Sequence, residues 1–219
     1  MIVLGIDFDN TIICYDRIFH REATIRQLIP DYVPPIKEQI RDFLRGCGQE
    51  EIWTELQGHV YGHAIVGANP FPGLKEFLQI CRLFKIKMHI VSHKTKFPYR
   101  GKQYDLHRAA LDWLQANEII DSDKTGLAAS DVFFAESKAK KLSCIADLGC
   151  THFIDDLPEF LLEADFPPGV EKLLFMPALA AADAGTIQSK YKDLRIFTDW
   201  SAAFSLLTAE PVPIEVGRQ

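Results

Sequence analysis

Short apolar runs alternate with one-faced helical patterns along most of this chain of 219 residues. An apolar run bounded by turn residues is typical of a buried strand in a parallel sheet. Such runs occupy residues 2–6, 88–91, 131–134, 151–154, 173–176 and 195–198. Apolar residues at helical spacing predict helices over residues 74–84, 106–114, 138–148 and 200–207. This alternation indicates an α/β fold, a Rossmann-like parallel sheet with helices on both faces.

Residues 13–69 interrupt the alternation. Their pattern predicts helices over residues 18–28, 36–44 and 51–65, separated by prolines and glycines. A parallel α/β core does not need these helices. We therefore predict a core formed by residues 1–12 and 70–219 and a helical insertion over 13–69, with extra helices packed on the flank of the sheet as the alternative.

Composition and charge narrow the class of protein. There are 24 Lys and Arg residues against 30 Asp and Glu residues, a net charge of −6, so overall charge does not favour nucleic-acid binding. The five cysteines are odd in number and lack metal-type spacing, which predicts reduced thiols in the cytoplasm. The N-terminal apolar run is too short for a signal peptide, and no stretch is long enough to predict a membrane span. The oligomeric state stays open.

Acidic residues directly follow two of the predicted strands. Asp7 and Asp9 come after the first strand, with Thr11 close behind, and Asp155 and Asp156 follow the fourth. Parallel strands place their carboxyl ends at one edge of the sheet. Carboxylates at such short distances repel each other unless a cation lies between them or one of them takes a proton. Either cluster alone is also common as a turn or a helix cap. Together they predict a site for a hard cation, best Mg²⁺, with four candidate ligands: Asp7, Asp9, Asp155 and Asp156.

Four short motifs occur in order along the chain. The first is Asp7-Phe8-Asp9-Asn10-Thr11, and the second is Ser92 at the end of an apolar strand. The third is Lys138 at the start of a predicted helix, and the fourth is the pair Asp155-Asp156. Over residues 1–162 this order resembles the haloacid dehalogenase (HAD) superfamily of phosphohydrolases, whose first motif is Asp-x-Asp-x-Thr. Asn10 departs from the Gly of many relatives, but Asn also tolerates a left-handed turn.

The resemblance implies a magnesium-dependent phosphatase that hydrolyses a small-molecule phosphate monoester through an aspartyl-phosphate. Asp7 would attack phosphorus, Asp9 would act as acid and then base, and Ser92 and Lys138 would contact the phosphoryl oxygens. Residues 13–69 would form a small helical cap over this site. A phosphotransferase or mutase of the same superfamily is the main alternative, and a receiver-like phosphate-binding regulatory module is another.

The choice of active-site lysine rests on helix position. Glu136-Ser137 is typical of a helix start, which places Lys138 in the first turn, where the family's lysine lies. Lys141, one turn further on, is the alternative.

A basic strip, residues 93–102, directly follows Ser92 in an otherwise acidic chain. We predict that it helps to bind an anionic substrate beyond the reacting phosphoryl group, with a solvated loop as the alternative. The predicted substrate-binding residues are Thr11, Ser92, His93, Lys94 and Arg100.

His59 and His63 stand four positions apart on a predicted helix, which is also metal-ligand spacing. No glutamate completes a zinc-hydrolase motif there, and the neighbouring Gly58 and Gly62 are poor helix formers. Ordinary histidines of the insertion are therefore the favoured interpretation.

Overall fold

The computed structural model describes residues 1–177 and 184–209. Within them, six parallel strands form one sheet in the order β5-β4-β1-β6-β7-β8, and two short strands form a separate antiparallel pair. The strands are β1 (Val3–Ile6), β2 (Ile13–Cys14), β3 (Asn69–Pro70), β4 (Lys87–His93), β5 (Val132–Ala135), β6 (His152–Asp155), β7 (Glu171–Phe175) and β8 (Arg195–Phe197). The prediction of an α/β fold with a mainly parallel sheet is confirmed.

Helices follow most of the strands in the described part of the chain. They are α1 (Asp16–Ile25), α2 (Lys37–Gly46), α3 (Glu50–Gly62), α4 (Leu74–Leu83), α5 (Leu106–Ala116), α6 (Lys138–Asp147), α7 (Pro158–Leu161), α8 (Ala184–Lys190) and α9 (Trp200–Thr208). The seven helices that hydrophobic spacing predicts form within a few residues of their predicted ends, whereas that spacing does not predict α7 and α8. Two 3₁₀ turns, Ala64–Gly67 and Ala129–Asp131, complete the helical elements.

Both faces of the sheet are buried, which explains the nearly continuous apolar runs of its strands. Successive residues of a strand point to opposite faces, so Phe153 and Ile154 enter two different cores. Ile154 packs into the cluster that includes Phe77 of α4 and Trp113 of α5. Phe153 packs on the other side with Ile145 of α6. The sheet is therefore a rigid layer whose strand ends are held in fixed relative positions.

The insertion leaves and rejoins the core at one place. β2 and β3 pair antiparallel, with Ile13 opposite Pro70, so the two ends of the segment meet beside the end of β1. Between them α1, α2 and α3 pack around aromatic side chains: Phe19 stacks on Trp53 with ring centroids 5.0 Å apart, and Tyr15 contacts Tyr61 at 4.9 Å. The segment between β2 and β3 thus forms three helices, and the short ribbon of β2 and β3 joins its two ends.

All five cysteines are free thiols in the structure. Within residues 1–177 and 184–209, every helix is too short or too polar to cross a lipid bilayer.

Candidate active site

Three carboxylates meet at the carboxyl ends of two neighbouring strands. β1 and β6 pair in parallel with Ile6 beside Ile154, and the N–H of Asp7 donates to the carbonyl of Ile154 at 2.9 Å. This register places Asp7 next to Asp155. Asp7, Asp155 and Asp156 each offer an oxygen, and these oxygens lie within 4.8 Å of one another. An oxygen-only group of this kind suits a hard divalent cation.

Lys141 joins this carboxylate cluster, and the preference for Lys138 is corrected. The buried Nζ of Lys141 lies 2.6 Å from Oδ1 of Asp7 and 2.6 Å from Oδ2 of Asp155. The half-exposed Lys138 side chain instead pairs with Glu163. The two lysines differ in burial. Lys138, in the first turn of α6, is exposed to solvent, whereas Lys141 is buried.

The carboxyl groups of this cluster carry more negative charge than Lys141 neutralises, which favours binding of a further cation. Burial, with the nearby charges of Asp155 and Asp9, raises the pKa of Asp7 to about 7, although Lys141 opposes the shift. Burial and the charges of Asp155 and Asp7 also hold the pKa of Asp156 well above its usual value. One ammonium group therefore does not compensate three neighbouring carboxyl groups.

Asp9 lies in a second cluster rather than among the metal-ligand carboxylates. The buried Nζ of Lys94 lies 2.9 Å from Oδ1 and 2.8 Å from Oδ2 of Asp9, and the Tyr15 hydroxyl donates to Oδ1 at 2.8 Å. The expectation that the Asp9 side chain joins the metal site is therefore corrected, because its oxygens face Lys94 and Tyr15. Only the Asp9 main chain remains available for that purpose.

Ser92 and Thr11 occupy different surroundings. Ser92 ends the buried part of β4, and its Oγ is buried without a hydrogen-bond partner among the described residues. An unsatisfied buried hydroxyl is costly and suits a site that receives a ligand oxygen. Thr11 is fully buried and its hydroxyl donates to Oδ1 of Asp156 at 3.4 Å, so it contacts a carboxylate. Asn10, with φ of 59°, makes a left-handed turn between Asp9 and Thr11.

Lys37, in the first turn of α2, is a site residue that the sequence did not suggest. Its half-buried Nζ lies 5.7 Å from the ring centre of Tyr61 and 5.9 Å from that of Tyr15. Burial alone would lower the pKa of Lys37, but Tyr61, Asp156 and Asp9 outweigh it and raise that pKa. Lys37 thus brings a lasting positive charge from the insertion toward both acidic clusters. No motif marks it, because its position depends on how α2 folds back over the core.

A cavity of about 170 Å³ begins at Asp9 and runs between α3 and the loop after β4. It is lined by Asp9, Thr54, Gln57, Gly58, Tyr61, His93, Lys94, Thr95, Pro98, Tyr99 and Leu106. The structure thus brings the predicted substrate residues His93 and Lys94 to this cavity. Burial and the charge of Lys141 lower the pKa of His93, which keeps its ring neutral at neutral pH.

The outer part of the basic strip does not reach the cavity. Arg100 pairs with Glu51 of α3 at the protein surface and is not among the lining residues, so the structure does not bring it to this cavity with His93 and Lys94. The cause is a local ion pair between the loop and the insertion. Nε2 of His59 donates to the Glu22 carboxylate at 3.0 Å, and His63 stacks on Tyr104, which gives both histidines ordinary packing partners.

Comparison with solved structures identifies the fold. A HAD family hydrolase from Deinococcus radiodurans R1, solved with bound phosphate and sodium, aligns with 94% of this chain and 95% of its own at 14% identity and a TM-score of 0.58. A haloacid dehalogenase-like hydrolase from Xanthomonas campestris aligns over 94% and 96% at 11% identity and a TM-score of 0.51.

A predicted phosphoglycolate phosphatase from Haemophilus somnus 129pt aligns over 93% and 96% at 13% identity and a TM-score of 0.51. At the sequence level, no family model and no curated protein matches. The chain therefore has the fold of HAD-superfamily hydrolases, as the order of its motifs predicted.

Proposed function

We propose that this protein is a magnesium-dependent phosphatase that hydrolyses a small-molecule phosphate monoester through an aspartyl-phosphate on Asp7. The observation that carries the proposal is the convergence of Asp7, Asp155 and Asp156 within 4.8 Å, with Lys141 bound to two of them. A structural ion pair would need only one carboxyl group for one ammonium group. A site that binds a cation beside a nucleophile needs additional carboxyl groups, as found here.

The donor set supports a divalent cation. Asp7, Asp155 and Asp156 would hold magnesium through carboxylate oxygens, and the raised pKa values of Asp7 and Asp156 indicate how much a further positive charge would stabilise their ionised forms. When bound, the ion would screen the negative charge of the phosphoryl group from that of the carboxylates.

In the first step, a carboxylate oxygen of Asp7 forms a bond to phosphorus while the bond from phosphorus to the ester oxygen breaks. Asp9 gives a proton to the leaving oxygen, which departs as an alcohol. Ser92, whose hydroxyl is otherwise unpartnered among the described residues, donates a hydrogen bond to a phosphoryl oxygen. Lys141 keeps Asp7 oriented and offsets part of the charge on the site.

In the second step, a water molecule attacks the phosphorus of the aspartyl-phosphate. Asp9, now a carboxylate, takes a proton from that water, and the bond between phosphorus and Asp7 breaks to release inorganic phosphate and regenerate both acids. Lys94 and Tyr15 hold the Asp9 carboxylate in place through contacts of 2.8–2.9 Å. Orientation of this group matters because it must reach two different oxygens in turn.

We also propose that α1, α2 and α3 act as a cap over this site. Support comes from α3, which contributes Thr54, Gln57 and Tyr61 to the cavity that begins at Asp9. Lys37 of α2 adds a charge on the same side. The five free thiols are consistent with the cytoplasmic location that we propose for the protein.

The test is an assay of phosphate release from an aryl phosphate, with magnesium and with a chelator. Release that needs magnesium and disappears in Asp7→Asn would support the proposal, as would trapping of an acid-stable, hydroxylamine-sensitive phosphoprotein. The ratio of phosphate released to phosphate transferred to added alcohols separates hydrolysis from transfer. Full activity in chelator would contradict the metal assignment.

A further inference from the structure

The cavity that begins at Asp9 carries an inference about substrate class, and it rests on the proposed function. We infer that the leaving alcohol is an uncharged, hydroxylated molecule about the size of one monosaccharide. The inference replaces the expectation that the basic strip binds a second anionic group of the substrate.

Position assigns this cavity to the leaving group. The proton donor to the leaving oxygen must lie beside that oxygen, and Asp9 is one of the residues that line the cavity. The carboxylates that face the phosphoryl group, Asp7 and Asp155, are not among the lining residues. The part of the substrate beyond the ester oxygen therefore extends from Asp9 between α3 and the loop after β4.

Volume limits the size of that part. Sites that enclose drug-sized ligands measure roughly 300–1,000 Å³. This cavity measures about 170 Å³ and is partly open to solvent. A single sugar ring or a shorter polyol would fill it, whereas the far end of a nucleoside or of a long acyl chain would extend into solvent without contacts to the lining residues.

Gly58 sets the width of the cavity. A Cβ built on Gly58 would lie 2.7 Å from Cβ of Pro98 and 3.1 Å from the carbonyl oxygen of Arg100. One turn further along α3, a Cβ on Gly62 would lie 2.5 Å from the Tyr104 side chain. The two glycines let α3 approach the loop after β4 closely, so the cavity between the helix and the loop stays narrow.

The lining offers uncharged hydrogen-bonding groups and aromatic surface. Thr54, Gln57 and Tyr61 are spaced at three and four positions along α3 and therefore present one face to the cavity. The Gln57 amide can both donate and accept, which suits hydroxyl groups. Tyr61 and Tyr99 add ring surface suited to the apolar C–H face of a sugar.

Charge argues against an anionic leaving group. Lys94 is the one cation among the lining residues that the structure describes, and it is engaged by both oxygens of Asp9. Arg100 is engaged by Glu51 outside the cavity. A carboxylate on the leaving group would therefore lie in this cavity with no unpaired ammonium or guanidinium group among the described lining residues to receive it, which is unfavourable.

The experiment compares matched substrates on the wild-type protein with magnesium present. Glycerol phosphate is compared with phosphoglycerate, and glucitol phosphate with phosphogluconate, so that each pair differs only in a hydroxymethyl group against a carboxylate. We expect kcat/KM to be at least about tenfold higher for the uncharged alcohol of each pair, since the carboxylate of the other would lose solvation without gaining a positive partner. An equal or higher value for the carboxylate members would overturn the inference.

A variant tests the cavity itself. Gln57→Leu should raise KM for glycerol phosphate or glucitol phosphate about threefold to tenfold, because it removes a neutral hydrogen bond. An aryl phosphate, whose ring forms no hydrogen bond with Gln57, should show a smaller rise in KM than either polyol phosphate. Gln39→Leu on the exposed side of α2 is the matched control and should change none of these KM values.

The two levels of proposal fail differently. Equal effects of Gln57→Leu on aryl and polyol phosphates, or no effect on either, would overturn the inference while leaving the phosphatase in place. Absence of magnesium-dependent turnover of every ester, the aryl phosphate included, would overturn the proposed function and this inference with it.

Discussion

Two lysine–aspartate clusters lie side by side in this protein, and they differ in composition and in charge. The core cluster has three carboxyl groups and one ammonium group, that of Lys141, which bridges Asp7 and Asp155. The outer cluster has one carboxyl group, Asp9, held by Lys94 and Tyr15, with Lys37 close by. The core cluster therefore has an excess of negative charge. Asp9 and Lys94 balance each other, and the outer cluster has an excess of positive charge when Lys37, which also faces Asp156, is counted with it.

This difference in charge predicts where the metal ion and the phosphoryl group would bind. A divalent cation would offset the excess of the core cluster, and the phosphoryl group would offset that of the outer cluster. The reacting phosphorus would then lie where the two clusters meet, between Asp7 and Asp9. Since the phosphoryl group itself takes up the surplus positive charge, none remains for a second anion on the substrate.

The largest effect is expected from Asp7→Asn, which removes the nucleophile from the core cluster. Phosphate release should fall to the background of the assay, because an amide cannot form the aspartyl-phosphate. Circular dichroism should show a folded protein, since Asn has nearly the same shape. Substantial turnover by a folded Asp7→Asn protein would rule out the covalent mechanism and the assignment of the core cluster to the chemistry.

The next effect distinguishes Lys141 from Lys138. Lys141→Met leaves Asp7 and Asp155 buried without their ammonium partner, so kcat should fall roughly 10²- to 10³-fold and the free energy of unfolding by about 3–5 kcal/mol. Magnesium should recover part of the lost stability. Steady-state kinetics and denaturant unfolding measure both changes.

Lys138→Met is the matched control on the same helix. Its half-exposed ion pair with Glu163 contributes little, so kcat and stability should stay close to those of the wild type. A larger loss of kcat for Lys138→Met than for Lys141→Met would show that Lys138 is the active-site lysine.

The same pair of residues shows how far the sequence could predict this site. Parallel strands end at one edge of a sheet, so the meeting of Asp7 with Asp155 follows from their positions after apolar runs. A lysine's depth depends on the tilt of α6 against the strands, and spacing along a helix does not determine it. Lys37 was missed for a related reason: its place depends on how three inserted helices pack, which leaves no local pattern.

A smaller effect is expected in the outer cluster. Lys94→Met should lower kcat about tenfold to a hundredfold, because Asp9 loses its orienting partner. Asp9 keeps the Tyr15 hydrogen bond, so some order remains. Lys102→Met, on the exposed part of the same loop, is the control and should have little effect. Equal kinetics for the two variants would mean that the Lys94–Asp9 contact does not serve the reaction.

The smallest expected effect is a pH dependence of the free energy of unfolding. It comes from the core cluster and not from the outer cluster. Burial raises the pKa of Asp7 from 3.8 to about 7 in the metal-free fold. The folded protein then binds this proton more tightly than the unfolded chain does, so the free energy of unfolding should fall as pH rises between these two values.

Magnesium should offset that loss by stabilising the ionised carboxyl group. The increase in thermal midpoint on adding magnesium should therefore be larger, by a few degrees, at about pH 8 than at about pH 5. Asp7→Asn removes the titrating group and should reduce this difference, whereas Lys94→Met should preserve it because Lys94 belongs to the outer cluster. A magnesium shift that is independent of pH in the wild type would show that the charge excess of the core cluster does not control metal binding.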